Sequence, residues 1–307
     1  MRRTAMTRRS FLKTAVAGVG GAGFALGSRL LLVSAAAEAA KEKAGALRLS
    51  VCIEMIFRER PLLERLSMAA KCGLPAVEFW SWRDKDIDGI LAKKKEVGLE
   101  VAGFCVDPAH RLTLEKSRDR FVTAVRETIP VLQKLGAKRM IVTTGNEIPR
   151  VPREQQHQSI VNCLKAGAPL AEEAGITLVL EPLNTLVDHG GYYLWSSAEG
   201  LEILREVASK NVKLLYDIYH QQIMEGNLIA NITKNIDLIG HFHVGDVPGR
   251  MEPGTGEINY LNVFKAIAES GYNGFIGLEF RPSKSGEEAL KHVKELTQEA
   301  EALAKEA

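Results

Sequence analysis

Along the chain, short runs of β-branched and apolar residues recur, and each gives way to a longer amphipathic stretch. Short runs of this kind predict strands, and the longer stretches with helical spacing predict helices. The strand runs are LRLSVCI (47–53), AVEF (76–79), VAGFC (101–105), RMIVTT (139–144), TLVLE (177–181), VKLLYD (212–217), IGHFH (239–243) and FIGLE (275–279). The helical stretches include PLLERLSMAAKCG, REQQHQSIVNCLKAGAPLAEEAG, NVFKAIAESG and a C-terminal EEALKHVKELTQEAEALAKEA. Gly73, Gly98, Gly136, Gly175 and Gly271 stand where helix C-caps are needed. Eight consecutive βα units predict an α/β fold, a single (β/α)8 TIM barrel over 45–307, whose size is close to the ~250 residues typical of that architecture. No G-x-G-x-x-G joins a strand to a helix, and GAGFALG lies ahead of the first strand. A dinucleotide-binding sheet is therefore not indicated.

The composition, 46% hydrophobic and 25% charged, is that of a globular chain. Charge is unevenly placed. Residues 1–40 hold Arg2, Arg3, Arg8, Arg9, Lys13 and Arg29 against Glu38 alone, so of 40 Lys+Arg and 38 Asp+Glu the remainder keeps 34 and 37. That remainder is slightly acidic and offers no basic excess for nucleic acid. The leader combines TRRSFLK (7–13), a small-residue apolar run to Gly27 and Ala-rich cleavage positions at Ala35 to Ala40. These are the parts of an export signal, and Arg8-Arg9 makes it resemble the twin-arginine type. A membrane anchor would need ~20 apolar residues, and this run is Gly-rich and stops at Arg29. Segment 1–40 is thus expected to engage the twin-arginine export machinery and place the protein in the periplasm or another extracytoplasmic space. That route carries proteins already folded, which suits one that acquires a metal inside the cell. Cys52, Cys72, Cys105 and Cys163 form no C-x-x-C pair and are expected as free thiols.

In a barrel of this kind, chemistry is built where strands end at the C-terminal face. The last four strand runs end in Glu181, Asp217, His243 and Glu279. A lone acid at a strand end is ordinary, but three carboxylates and an imidazole from four successive strands converge on one mouth. Buried carboxylates this close would repel one another unless a cation stood between them. The oxygen-rich donor set with one nitrogen suits Mn²⁺ or Mg²⁺, with Co²⁺ a further option.

At these residues the sequence resembles the hydroxypyruvate isomerase group of the xylose-isomerase-like TIM barrels, through LVLEPLN, DHGGYYLWSS, LLYDIYHQQIMEGNL, HFHVGDVPGRMEPGTGEINY and IGLEFRP. The resemblance implies that Glu181, Asp217, His243 and Glu279 bind the metal and that Glu181 and Glu279 also exchange protons with substrate. It further implies substrate-contacting roles for His220 and Arg250, and for Glu257 in the same loop. The implied substrate is a small carbohydrate or hydroxy-keto compound, isomerised or epimerised through a cis-enediolate, and the implied assembly is a homo-oligomer. One position departs from the group. Hydroxypyruvate isomerases commonly have Gln where His243 stands, and the Glu-Asp-His-Glu set resembles that of the related ketose 3-epimerases.

Other residues carry weaker signals. His241 is expected to face away from His243 in a structural role. Trp80, Trp82 and Phe57 follow early strands and can wall a sugar site or pack loops; His189 and Tyr192 sit in the loop after Glu181, and Glu147 follows the fourth strand. Two other reactions or roles fit the same cup: a 3-keto-glycoside lyase or hydrolase, and a non-catalytic exported sugar-binding barrel. An abasic-site endonuclease would gather several His around multiple zinc ions, a pattern not found here.

Overall fold

The computed structural model describes residues 46–106 and 111–306, so the expected signal segment lies outside the described residues. Eight parallel strands close a barrel in sequence order. They are β1 (Arg48–Cys52), β2 (Ala76–Phe79), β3 (Glu100–Cys105), β4 (Arg139–Val142), β5 (Thr177–Leu180), β6 (Val212–Asp217), β7 (Ile239–Val244) and β8 (Phe275–Leu278). Closure is made by β1 against β8, in register from Arg48↔Phe275 to Val51↔Leu278. Around them run α1 (Leu62–Lys71), α2 (Ile87–Val97), α3 (Arg118–Leu135), α4 (Arg153–Ala174), α5 (Ser197–Val207), α6 (Ile218–Met224), α7 (Leu228–Asn235), α8 (Tyr260–Glu269) and α9 (Gly286–Glu306). All five glycines expected after helices adopt left-handed backbone, and the four cysteines are free thiols.

The strands divide their side chains by a period of two. Leu178 and Leu180, Leu214 and Tyr216, Phe242 and Val244, and Ile276 and Leu278 join the large core between barrel and helices. Their neighbours turn inward, where Ile141, Val179 and Leu215 form a small apolar plug. One step further along the same inward rows come Glu181, Asp217, His243 and Glu279. The plug thus fills the β4–β6 side of the barrel interior beneath the charged groups at the mouth.

Candidate metal centre

Each member of the cup is delivered by the end of a strand. Asp217 closes β6, His243 lies near the end of β7, and Glu181 and Glu279 stand one residue beyond β5 and β8. All four are buried, and one ligand atom from each lies within 4.8 Å of those of the others. His243 Nδ1 is 3.1 Å from Glu181 Oε1, 3.1 Å from Glu279 Oε2 and 4.0 Å from Asp217 Oδ2. Three carboxylate oxygens facing one imidazole nitrogen form a donor set for a hard divalent cation. The residues present fit the metal that the sequence implies.

Positive protein charge also reaches into the cup. Arg250, from the loop after β7, places Nη2 2.7 Å from Glu279 Oε2 and 3.4 Å from Asp217 Oδ2. Burial opposes ionisation of Glu279, but Arg250 and His243 outweigh it and hold the carboxyl well below the usual range. At Asp217 burial prevails over Arg250, with Glu279 adding like charge, and its pKa is raised. Burial opposes protonation of His243 as well, yet the charges of Glu279 and Glu78 drive its pKa well above the ordinary value.

His220 is buried one turn beyond Asp217. Its Nδ1 accepts from the Asn184 backbone N–H at 3.2 Å and lies 2.7 Å from Asn184 Nδ2, which leaves the ring proton on Nε2. That Nε2 sits 3.4 Å from Asp217 Oδ2 and has no hydrogen-bond partner. Burial, helped by Arg250, pushes the His220 pKa down to about 3, so the ring is neutral. It is a spare N–H donor beside the cup, the kind of group that binds a substrate oxygen.

Other expected residues fall in different places. Glu257 is exposed and accepts from Gln222 Nε2 at 3.2 Å. Its backbone N–H donates to Val247 O at 2.7 Å, which fastens the loop, and no contact joins its carboxylate to the four residues of the cup among the described residues. Glu147 is exposed beside Arg153, 3.7 Å away. Trp82 donates to Thr128 of α3 at 3.2 Å, and Phe57 is buried against the glycine face that opens α9. Tyr192 braces the floor, accepting from Thr144 N and donating to Glu181 O. His189 packs edge-on against the His220 ring. Trp80 does reach the site: its indole N–H donates to Glu279 Oε1 at 2.6 Å.

The expectation for His241 is overturned. Residues two apart on a strand share a face, and His241 points into the barrel with His243, while Phe242 between them faces the helices. Both rings meet Glu78, a buried carboxylate on β2 that the sequence reading passed over. An acid inside the otherwise apolar AVEF run was the available signal. Asp246 was also missed. Buried in the loop after β7, it accepts backbone N–H groups from Val247 and Ile258 on Oδ1 and from Gly254 and Gly256 on Oδ2.

Comparison with known proteins sets this geometry in context. A family model described as xylose isomerase-like TIM barrel matches residues 66–303. The hydroxypyruvate isomerase of Escherichia coli (strain K12) is 34% identical over 252 residues, covering 80% of this chain and 97% of that protein. The 2-oxo-tetronate isomerase of Cupriavidus necator is 30% identical over 242 residues, covering 76% and 93%. Among solved structures, that of an AP endonuclease, family 2, from Brucella melitensis superposes with a TM-score of 0.77 at 27% identity, covering 81% and 98%.

Proposed function

The chain belongs to the xylose isomerase-like TIM barrel family and is an isomerase, and from that premise we propose that it isomerises or epimerises a small hydroxycarbonyl compound with the help of a divalent metal, Mn²⁺ or Mg²⁺. The observation that carries this reading is the convergence of Glu181, Asp217, His243 and Glu279 on one buried point. The relatives named for hydroxypyruvate and 2-oxo-tetronate isomerisation support a short hydroxy-keto substrate. The imidazole at position 243 resembles the ketose epimerases and extends the class to small ketoses. That single imidazole in the cup is also fewer than an abasic-site nuclease with multiple zinc ions requires.

When bound, the cation supplies Lewis-acid polarisation of the substrate carbonyl and charge stabilisation for the developing enediolate. Glu181 or Glu279 takes the proton α to the carbonyl; in an isomerisation a proton is returned to the former carbonyl carbon while the hydroxyl proton crosses to the other oxygen, and in an epimerisation the other glutamate, protonated beforehand, gives its proton to the opposite face of the same carbon. His220 donates its Nε2–H to a substrate oxygen, while Arg250 fixes the charged edge of the site. Ile141, Val179 and Leu215 line the barrel below Glu181 and Asp217 with apolar side chains, which lowers the local dielectric and strengthens the electrostatic contacts above them.

Solvent-exchange ¹H NMR with hydroxypyruvate, 2-oxo-tetronate, ketoses and keto-glycosides, with and without Mn²⁺, tests the reading. The expected result is α-proton exchange only with metal present, and loss of roughly 10²–10⁴-fold in Glu181→Gln and Glu279→Gln. Exchange at the wild-type rate in either variant removes that residue from the chemistry. Product identity then separates isomerase from epimerase and from lyase. The same reading has segment 1–40 deliver the folded enzyme through the twin-arginine machinery. Replacing Arg8 and Arg9 by Lys together is expected to hold the full chain in the cytoplasm, and periplasmic recovery of that variant would refute the export reading.

A further inference from the structure

Beneath the cup the barrel interior holds a second polar group that the proposed chemistry does not use. Glu78 of β2 is 2% exposed, yet both its oxygens are engaged. Oε2 accepts from Ser50 Oγ of β1 at 2.5 Å and lies 3.0 Å from His241 Nε2 of β7. Oε1 lies 2.9 Å from His243 Nε2, an ion-pair contact not aligned as a hydrogen bond. Space for the carboxylate is kept by β8, which lies on the other side of β1 from β2. A Cβ at Gly277 of β8 would stand 2.2 Å from Glu78 Oε1 and 2.7 Å from Oε2, so this strand carries no side chain there. Four strands therefore cooperate to hold one acid under His243.

We infer that Glu78 is a positioning residue for the metal centre: when the cation is bound it accepts the Nε2–H of His243, 2.9 Å from its Oε1 in this structure, so that the Nδ1 lone pair faces Glu181, Asp217 and Glu279. A neutral imidazole bearing one proton has one donor and one acceptor nitrogen, and the partner of the first fixes the identity of the second. Metal-bound imidazoles are commonly oriented in this way by a carboxylate on the distal nitrogen. Ser50 and His241 complete the arrangement, since they hold the other Glu78 oxygen and stop the carboxylate from turning. His241 thereby acquires a role: it is a prop for Glu78, two bonds removed from the cup. Glu78 stands outside this cup, because it faces the Nε2 side of the His243 ring while the other three acids gather at Nδ1; with His241 and His243 it forms a second buried cluster of possible ligands.

The inference rests on the reading of the cup as a metal centre, and the experiment separates the two. Isothermal titration calorimetry with MnCl₂ on the full chain is expected to show one ion per wild-type molecule. Glu78→Gln is expected to keep that stoichiometry and weaken affinity roughly 10- to 100-fold, with Ser50→Ala falling between. Long-range ¹H–¹⁵N spectra of the Mg²⁺-loaded wild type should place the His243 proton on Nε2, a measurement that survives even if Glu78→Gln does not fold. Wild-type Mn²⁺ affinity in Glu78→Gln, whatever its melting temperature, would overturn the assignment. So would a proton on Nδ1 of the loaded wild type, or a second Mn²⁺ lost on substitution of Glu78, which would make it a ligand. A wild type that takes up neither cation would bring down the metal-centre reading itself, and this assignment with it.

Discussion

The two glutamates of the cup are alike in the sequence and unlike in their surroundings. Glu279 has both oxygens occupied: Oε1 by the Trp80 indole N–H, Oε2 by Arg250 and His243. Glu181 meets His243 through Oε1, and no side-chain donor among the described residues reaches its other oxygen. Glu279 is therefore the more firmly held of the pair, and the indole is the group that holds its Oε1. Trp80→Phe keeps the aromatic wall and removes the donor. A hydrogen bond to a charged group contributes about 1.5–3 kcal/mol, so turnover of the exchanged substrate should fall by roughly 10- to 100-fold. Because Trp80 is 43% exposed, the melting temperature should move little. Steady-state kinetics beside calorimetry checks both; full activity would leave Trp80 as a wall and nothing more.

At the scale of elements, the loop after β7 is organised from within. Asp246 gathers four backbone N–H groups, and its own carbonyl accepts from Arg250 N at 2.9 Å. Gly256 permits the close return, since a Cβ there would lie 2.1 Å from Val247 O. Arg250, at φ 56°, is thus fixed in left-handed backbone by the turn around it. Removing the carboxylate leaves four backbone donors without their acceptor; that of Ile258 is buried, at a cost of about 1–3 kcal/mol, and the other three are part-buried and cost less. The loop sits on the barrel rim, so the expected response of Asp246→Ala is local opening. Hydrogen exchange should accelerate across 247–258 while β5 to β8 stay protected; unchanged exchange would show that the turn forms without its acid. A second element contact is sensitive to pH. His157 of α4 meets Glu206 at 2.8 Å and Glu199 at 3.5 Å, at the two ends of α5. Burial opposes its charge, but these hydrogen bonds prevail and raise its pKa. The stability it adds is fully present below the unfolded value near 6.5 and is lost as pH rises through the higher folded value. After allowance for solvent screening it is about 0.5–1 kcal/mol. The melting-temperature gap between wild type and His157→Gln should therefore be widest near pH 6 and close on the alkaline side; a gap independent of pH would rule out the ion pair.

Across the whole molecule, the barrel was legible in the sequence because its signals are local. β-branched runs, amphipathic helices and terminal glycines each declare themselves within a dozen residues, and β2 and β6 fall at their expected bounds. The cup was legible for a related reason, since its four members end consecutive strands. What supports the cup was not. Glu78 lies 163 residues from His241, and only barrel closure brings them together. The role of Asp246 depends on a turn geometry that no residue type announces. The same long-range construction predicts a measurable coupling between metal and fold. Glu181, Asp217, His243 and Glu279 arise from β5 to β8, so a cation they share joins half the barrel, and a ligand absent from the unfolded chain stabilises by mass action. At 100 times its dissociation constant that is about 2.7 kcal/mol. For a domain of this size it corresponds to a rise of roughly 5–10 °C in melting temperature. Calorimetric scans with Mn²⁺ and with EDTA should show the rise and its reversal, and Glu279→Gln, lacking one charged ligand, should lose most of it. A melting temperature indifferent to Mn²⁺ at that concentration would mean that the four side chains meet without sharing an ion.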